Sequence, residues 1–298
     1  MAVAASRGAV RTTSAWRHGR ALRRVSIAVR LLLLYTTMAA FGLTFLFPFL
    51  WMLSTSLKVP EQVWLQPPVW IPRPVVLSNY HLALTAVPTL KFFRNTLIIT
   101  LIPTAGTLLA SSCVAFAFAR LYWPGRSLCF ALLLSTMMLP GQVTMIPIFV
   151  LFHKINWIDT FKPLVVPFFF GSAFYIFLLR QFFMGIPREM DEAATMDGAI
   201  PPLIWWRITL PLAGPALAAV AIFSFIGHWN EFLGPLIYLK RVDKWPLALG
   251  LLEFRQEYVT AWEQLMAYSL IVMLPCLLVF FFAQRYFIQG ITLTGLKG

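Results

Sequence analysis

Residues 96–119 read TLIITLIPTAGTLLASSCVAFAFA, an unbroken run without a single Asp, Glu, Lys or Arg. A helix of about 20 such residues covers the hydrocarbon core of a bilayer. Working outward, five more runs are long and predominantly apolar: 31–53, 128–152, 163–183 and 265–287, the last two with one Arg each near an end (Arg180, Arg285), and 210–227. The fifth can run on through the apolar stretch 232–239. The sequence therefore predicts an all-α membrane protein with six transmembrane helices. Pro48, Pro103, Pro140, Pro147, Pro167, Pro215 and Pro275 fall inside the runs. Membrane helices tolerate proline where neighbours satisfy the freed backbone groups, so kinks are expected.

Composition supports the same class. Of the 298 residues, 59% are apolar and 12% charged, against about 25% charged in a typical soluble domain. The formal net charge is +13. The basic residues flank apolar runs and form no groove, which speaks against nucleic acid as a partner. Arg7, Arg11, Arg17, Arg20, Arg23, Arg24 and Arg30 give residues 1–30 the look of a disordered basic tail. Six spans put both termini on one side. The loops on that side hold fourteen Lys and Arg against ten opposite, which predicts both termini in the cytoplasm. Trp51, Trp64, Trp70, Trp157 and Trp229 then fall near outer ends, where aromatic belts form. The domain plan is a cytoplasmic tail (1–30), a first span (31–53), an extracytoplasmic loop (54–95), a five-helix core (96–287) with a cytoplasmic loop (184–211), and a C-terminal tail (288–298).

Several chemistries are weighed and set aside. Cys113, Cys129 and Cys276 are odd in number, sit inside apolar runs and form no CxxC, so they read as buried free thiols and no metal site is expected. His18, His81, His153 and His228 are scattered, and neither HExxH nor Gly-x-Ser-x-Gly occurs. Gly290-Ile-Thr-Leu-Thr-Gly295 has the glycine spacing of a phosphate loop. It continues as Leu296-Lys297, however, and no strand run precedes it. The mid-portions of the spans carry no ionisable group of the kind a proton relay needs. That suits an uncharged solute.

The loop 180–209 holds Glu189, Asp191, Glu192 and Asp197. Pro187 suits the start of a short helix, with the acidic residues in its first turn. Gly198 suits a left-handed end, and Pro201-Pro202 a second short helix. Three-and-four spacing puts Met190, Ala193, Ala194 and Asp197 on one face. Such a knob reads either as a docking helix for a cytoplasmic partner or as an amphipathic connector on the membrane. His228, Trp229, Asn230 and Glu231 form the most polar break in an apolar stretch. They read as a pathway or outer-gate site, or as the place where the fifth span simply ends.

Glu192-Ala193-Ala194, then Asp197-Gly198-Ala199, then Ile208, Leu210 and Pro211 resemble the EAA loop of binding-protein-dependent ABC importer permeases. Ser56-Leu57-Lys58, Asn79-Tyr80, Asn95-Thr96, Ala119-Arg120-Leu121 with Pro124-Gly125-Arg126, and Trp229-Asn230-Glu231-Phe232 are similar to the sugar branch, the maltose-type second permease. The resemblance implies a MetI-like six-span fold with no catalysis and no cofactor of its own. It implies a second homologous permease, two ATP-binding cassette subunits that use ATP and Mg, and an extracellular solute-binding protein, all assembled in the lipid bilayer of the inner (plasma) membrane. Glu192, Ala193, Ala194, Asp197, Gly198, Ala199, Ile208, Leu210 and Pro211 become the coupling residues. The tail Thr294, Gly295, Leu296, Lys297 and Gly298 becomes a second ATPase contact. The cargo implied is a di- or oligosaccharide. Another solute such as glycerol phosphate, or a stand-alone secondary carrier, is the alternative reading.

Overall fold

The computed structural model describes the backbone of residues 4–255 and 260–295, and the side chains of 27, 29–255 and 260–284. The chain folds around one long helix. In order, α1 is Ala4–Ser56, α2 Ser78–Ala86, α3 Thr89–Arg120, α4 Arg126–Ser135, α5 Gly141–Lys154 and α6 Ala173–Met184. Then come α7, Glu189–Met196, α8, Gly214–Trp229, α9, Leu233–Tyr238, and α10, Trp262–Gly295. Among the described residues the β-structure amounts to one isolated bridge, Arg255 with Thr260. Among the described residues four helices are long and apolar enough to cross a membrane, or up to six if each of two bent pairs counts as one span.

The central helix α3 begins seven residues before the apolar run that marks it in the sequence. Its buried face is polar as well as apolar: Asn95, Thr96, Thr100, Thr104, Thr107, Ser111 and Ser112 are all buried. Three of these side chains, Asn95, Thr96 and Ser111, satisfy backbone groups of other segments. Asn95 donates to the carbonyls of Asp243 and Trp245 at 2.9 and 3.0 Å. Thr96 Oγ1 accepts from the Leu247 amide at 2.8 Å. Ser111 Oγ accepts from the Ser172 amide at 3.1 Å, where Gly171 (φ +81°) interrupts the fourth span. An unmet backbone group in an apolar layer is costly, so these hydroxyls and amides permit the breaks.

Pro48, Pro103, Pro147 and Pro275 lie inside continuous helices, whereas two other sites, at Pro140 and just ahead of Pro215, are full breaks. The third span bends by 98° between Met138 and Gly141, and the chain turns by 83° between Leu212 and Gly214. Within the fifth run the helix that reaches Trp229 therefore starts at Gly214, and residues 210–212 belong to the segment before the break. Residues 232–239 do not continue it but form the separate helix α9. At the other end of the chain, α1 runs back to Ala4, so the backbone of the basic segment is helical instead of the disordered tail expected. The thiols also differ from expectation. Cys113 and Cys129 are exposed and Cys276 half-buried, all three free. Cys113 and Cys129 lie on outward apolar faces, which a soluble chain would bury and a membrane chain need not, whereas Cys276 packs against an apolar cluster of the core.

Two apolar clusters hold the ends together. One gathers Phe116, Leu179, Phe183, Ile204 and Val220 beside the 186–212 loop. The other gathers Phe92, Trp229, Leu249-flanking Leu247, Phe254 and Tyr268 at the opposite end. Gly250 makes the second possible. A Cβ there would stand 2.6 Å from the Tyr268 hydroxyl and 2.9 Å from the Phe92 ring, and both rings are fully buried. Gly250→Val is therefore expected to lower the detergent-solubilised melting temperature by several degrees, an overpacking cost of about 1–3 kcal/mol. Gly214→Ala, where a Cβ meets nothing within 4 Å, is the matched control. Equal melting of the two variants would contradict this packing.

Candidate functional site: the 186–212 loop and the cavity opposite

The loop is built as an outrigger on α3. The helix α7 starts at Glu189, two residues after Pro187, with Glu189, Asp191 and Glu192 in its first turn. It ends at Asp197, and Gly198 follows in the left-handed region at φ +83°. The amide of Gly198 donates to Thr195 and that of Ala199 to Ala194, which closes the turn. Pro201 then opens the single turn Pro201–Ile204, followed by the wide π-turn Trp205–Thr209. Pro211 explains the widening. Its ring would strike the Arg207 carbonyl in a regular helix, and the Leu210 amide reaches back to Trp205 instead.

The helix α7 has an inner and an outer face, and the division differs from the one expected. Ala194, Ala199 and Ile208 pack against the apolar cluster under the loop, with Leu210 half-buried and Pro211 exposed. Met190, Glu192, Ala193, Met196 and Asp197 face out, with Met196 89% exposed. Ala194 is thus a contact to the chain's own core rather than part of the presented face.

The side chain that fixes the loop is Arg120, the last residue of α3. Its guanidinium lies 3.3 Å from the Asp191 carboxylate and donates to the Ile186 carbonyl at 2.8 Å. The Arg120 side chain is 4% exposed and that of Asp191 19%. Arg188 donates to the Tyr122 hydroxyl beside it, and Arg126 closes on the Leu121 carbonyl at 2.9 Å. The Tyr122 hydrogen bond raises the Arg188 pKa above its ordinary value. Sequence reasoning noticed Arg120 and Asp191 separately and missed the pair.

At the opposite end, Trp229 is buried, its indole donating to the Val272 carbonyl at 2.9 Å, so it is no belt residue. Asn230 donates to the Ile226 carbonyl at 2.9 Å, and Glu231 accepts the Gly234 amide at 2.8 Å. These bonds end α8 and start α9. Trp51 and Trp70 do form an aromatic cluster, with ring centroids 5.2 Å apart. Lys58 is fully buried with its ammonium 4.1 Å from the Trp51 ring, and burial lowers its pKa. Lys244 pairs with Asp159 at 2.9 Å and clamps the 156–162 and 240–245 turns together. Burial alone would raise the Asp159 pKa. The Lys244 ammonium and the amides of Arg241 and Lys240 outweigh it and hold the carboxyl below its usual range.

Between α5, the 163–170 segment and the ends of α8 and α9 lies a cavity of about 720 Å³. Glu231 lines it; Trp229 and Asn230 do not. Of the tail, Leu296, Lys297 and Gly298 lie outside the described residues, and Thr294 and Gly295 contribute only helical backbone.

Broken apolar spans threaded on a polar-studded helix, with a loop bolted to its end, define a membrane permease. Residues 106–293 match the family described as binding-protein-dependent transport system inner membrane component. The chain belongs to that family. It is 34% identical to the arabinooligosaccharides transport system permease protein AraQ of Bacillus subtilis, over 86% of this chain and 92% of AraQ. It is 32% identical to the diacetylchitobiose uptake system permease protein NgcG of Streptomyces coelicolor, over 80% of each. The fold matches a chain from the crystal structure of a bacterial ABC transporter involved in import of the acidic polysaccharide alginate. The TM-score is 0.78 at 24% identity, covering 88% of this chain and 98% of that one.

Proposed function

We propose that this chain is the permease subunit of an ABC importer for a carbohydrate of the di- or oligosaccharide class, coupled to separate ATPase subunits through the 186–212 loop. The observation that carries the proposal is α7 itself. It stands out from the bundle, is fixed to α3 by the Arg120–Asp191 pair, and leaves Glu192, Ala193, Met196 and Asp197 exposed. A face of small and acidic residues lets another backbone approach closely and offers charge to it. Family membership supports the same reading, and the two sugar permeases above support the cargo. In this scheme a second, homologous permease completes the pathway, an extracellular solute-binding protein delivers the sugar, and ATP and Mg are consumed in two partner subunits. The loop end faces the cytoplasm with both termini, in keeping with the basic residues there. Closure of the ATPases moves α7 as a rigid element and switches the permeases between two discrete states.

The test is a pull-down of the tagged chain from native membranes in mild detergent. Wild type is expected to bring down both a second permease and an ATPase. Glu192→Lys, which reverses charge on the exposed face, is expected to retain the permease and lose most of the ATPase. A wild-type chain that brings down no ATPase would overturn the importer reading.

A further inference from the structure

We propose that the cavity against α5 is a sugar-contacting compartment of this chain itself, and that its chemistry selects neutral over acidic oligosaccharides. The inference rests on the permease reading above and adds the substrate class that this subunit can hold. The volume, about 720 Å³, falls within the roughly 300–1,000 Å³ typical of small-molecule sites. The walls suit a sugar. Trp157, Phe168 and Tyr238 supply aromatic surface for the C–H faces of pyranose or furanose rings. Gln142, His228 and Glu231 supply polar groups for hydroxyls. The polar groups lie on its bundle side. Ionisable side chains at membrane depth turn toward the bundle interior or a water-filled cavity, and here His228 lies at the far end of α8 with its ring 4.3 Å from Phe168.

Charge then decides the class. The lining includes one carboxylate, Glu231, and no Lys or Arg. One of its oxygens holds the Gly234 amide, which fixes the carboxylate at the wall. A uronate carboxylate or a sulfonate brought into contact with this exposed carboxylate meets like charge at close range. A neutral sugar instead gains a charge-assisted hydrogen bond. The compartment is therefore unsuited to an acidic cargo of the alginate kind.

The experiment uses the whole complex, purified with its ATPase, trapped with ATP and vanadate, and assayed without binding protein by equilibrium dialysis. The probes are arabinotriose, N,N′-diacetylchitobiose, maltose and dimannuronate. Saturable binding of at least one neutral probe is expected, at least tenfold tighter than dimannuronate. Glu231→Gln keeps an acceptor for the Gly234 amide. It is expected to weaken the neutral probe roughly tenfold and to shrink the neutral-to-acidic ratio, which a purely structural loss would not do. Gln142→Ala, at the exposed start of α5, is expected to weaken the neutral probe with the ratio kept. Tighter binding of dimannuronate, no saturable binding of any neutral probe, or wild-type binding by both variants overturns the proposal. A complex that contains the ATPase yet gives one of those results removes the compartment and leaves the importer reading standing. The absence of any ATPase removes the importer reading.

Discussion

Replacing Arg120 by Met is expected to cut ATP-driven sugar uptake by at least tenfold while the chain still inserts and assembles. The guanidinium does two things at once. It neutralises Asp191 at 3.3 Å and holds the Ile186 carbonyl at 2.8 Å. Methionine fills similar volume and does neither. Breaking a buried pair from one side costs roughly 3–5 kcal/mol, because the remaining charge keeps its desolvation penalty. Asp191 is partly exposed, which puts the expected cost near the lower figure, about 3 kcal/mol, or about a hundredfold in the population of the seated loop. Arg120→Lys keeps the charge without the fork and should fall between the two. Arg120→Met combined with Asp191→Leu removes both charges and should recover part of the loss. Uptake in reconstituted liposomes is the measurement, with copurified ATPase as the check on assembly. Uptake by Arg120→Met within twofold of wild type would show that the pair does not seat the loop.

Gly198→Val should have a comparable effect for a different reason. A Cβ at this position meets nothing within 4 Å, so space is not the constraint. The backbone is, at φ +83°. A left-handed residue costs an ordinary side chain about 1–2 kcal/mol, and a β-branched one is worse placed still. The strain would be relieved by moving Asp197 and Ala199 out of the turn, which turns the exposed face of α7. Gly198→Asn is the control, since asparagine tolerates this region. The expected outcome is near wild-type uptake for Asn and at least a tenfold loss for Val. Equal uptake by the two variants would mean that the turn plays no part in coupling.

The membrane class and the rough span positions were legible because a bilayer imposes a length and a polarity that composition records directly. The left-handed Gly198 and the second short helix at Pro201 were legible because glycine and proline carry local backbone rules. What stayed hidden was tertiary. Pro140 announces a kink, but a bend of 98° is set by what packs on either side. Ala194 lies on the expected face by spacing, and only the cluster beneath the loop turns it inward. Arg120 and Asp191 are far apart in the chain, and no periodicity connects them. Trp229 has the composition of a belt residue. Its burial depends on the Val272 carbonyl, which belongs to another helix.

The helix α3 ends in Arg120 at the loop and carries Asn95 near its other end, where it holds the Asp243 and Trp245 carbonyls. Those two residues stand 25 residue steps apart on one helix, about 38 Å at 1.5 Å per residue. Unlike the two spans that bend by 98° and 83°, α3 is unbroken from end to end. Under the proposed coupling, a displacement imposed at Asp191 would travel along this one axial member and reach the far face without crossing a loop. Buried Pro103 is the sole proline along that member. The stroke delivered to the 243–247 segment is therefore set by the stiffness of a single helix, and softening it at Pro103 would shorten the stroke while leaving both attachments intact.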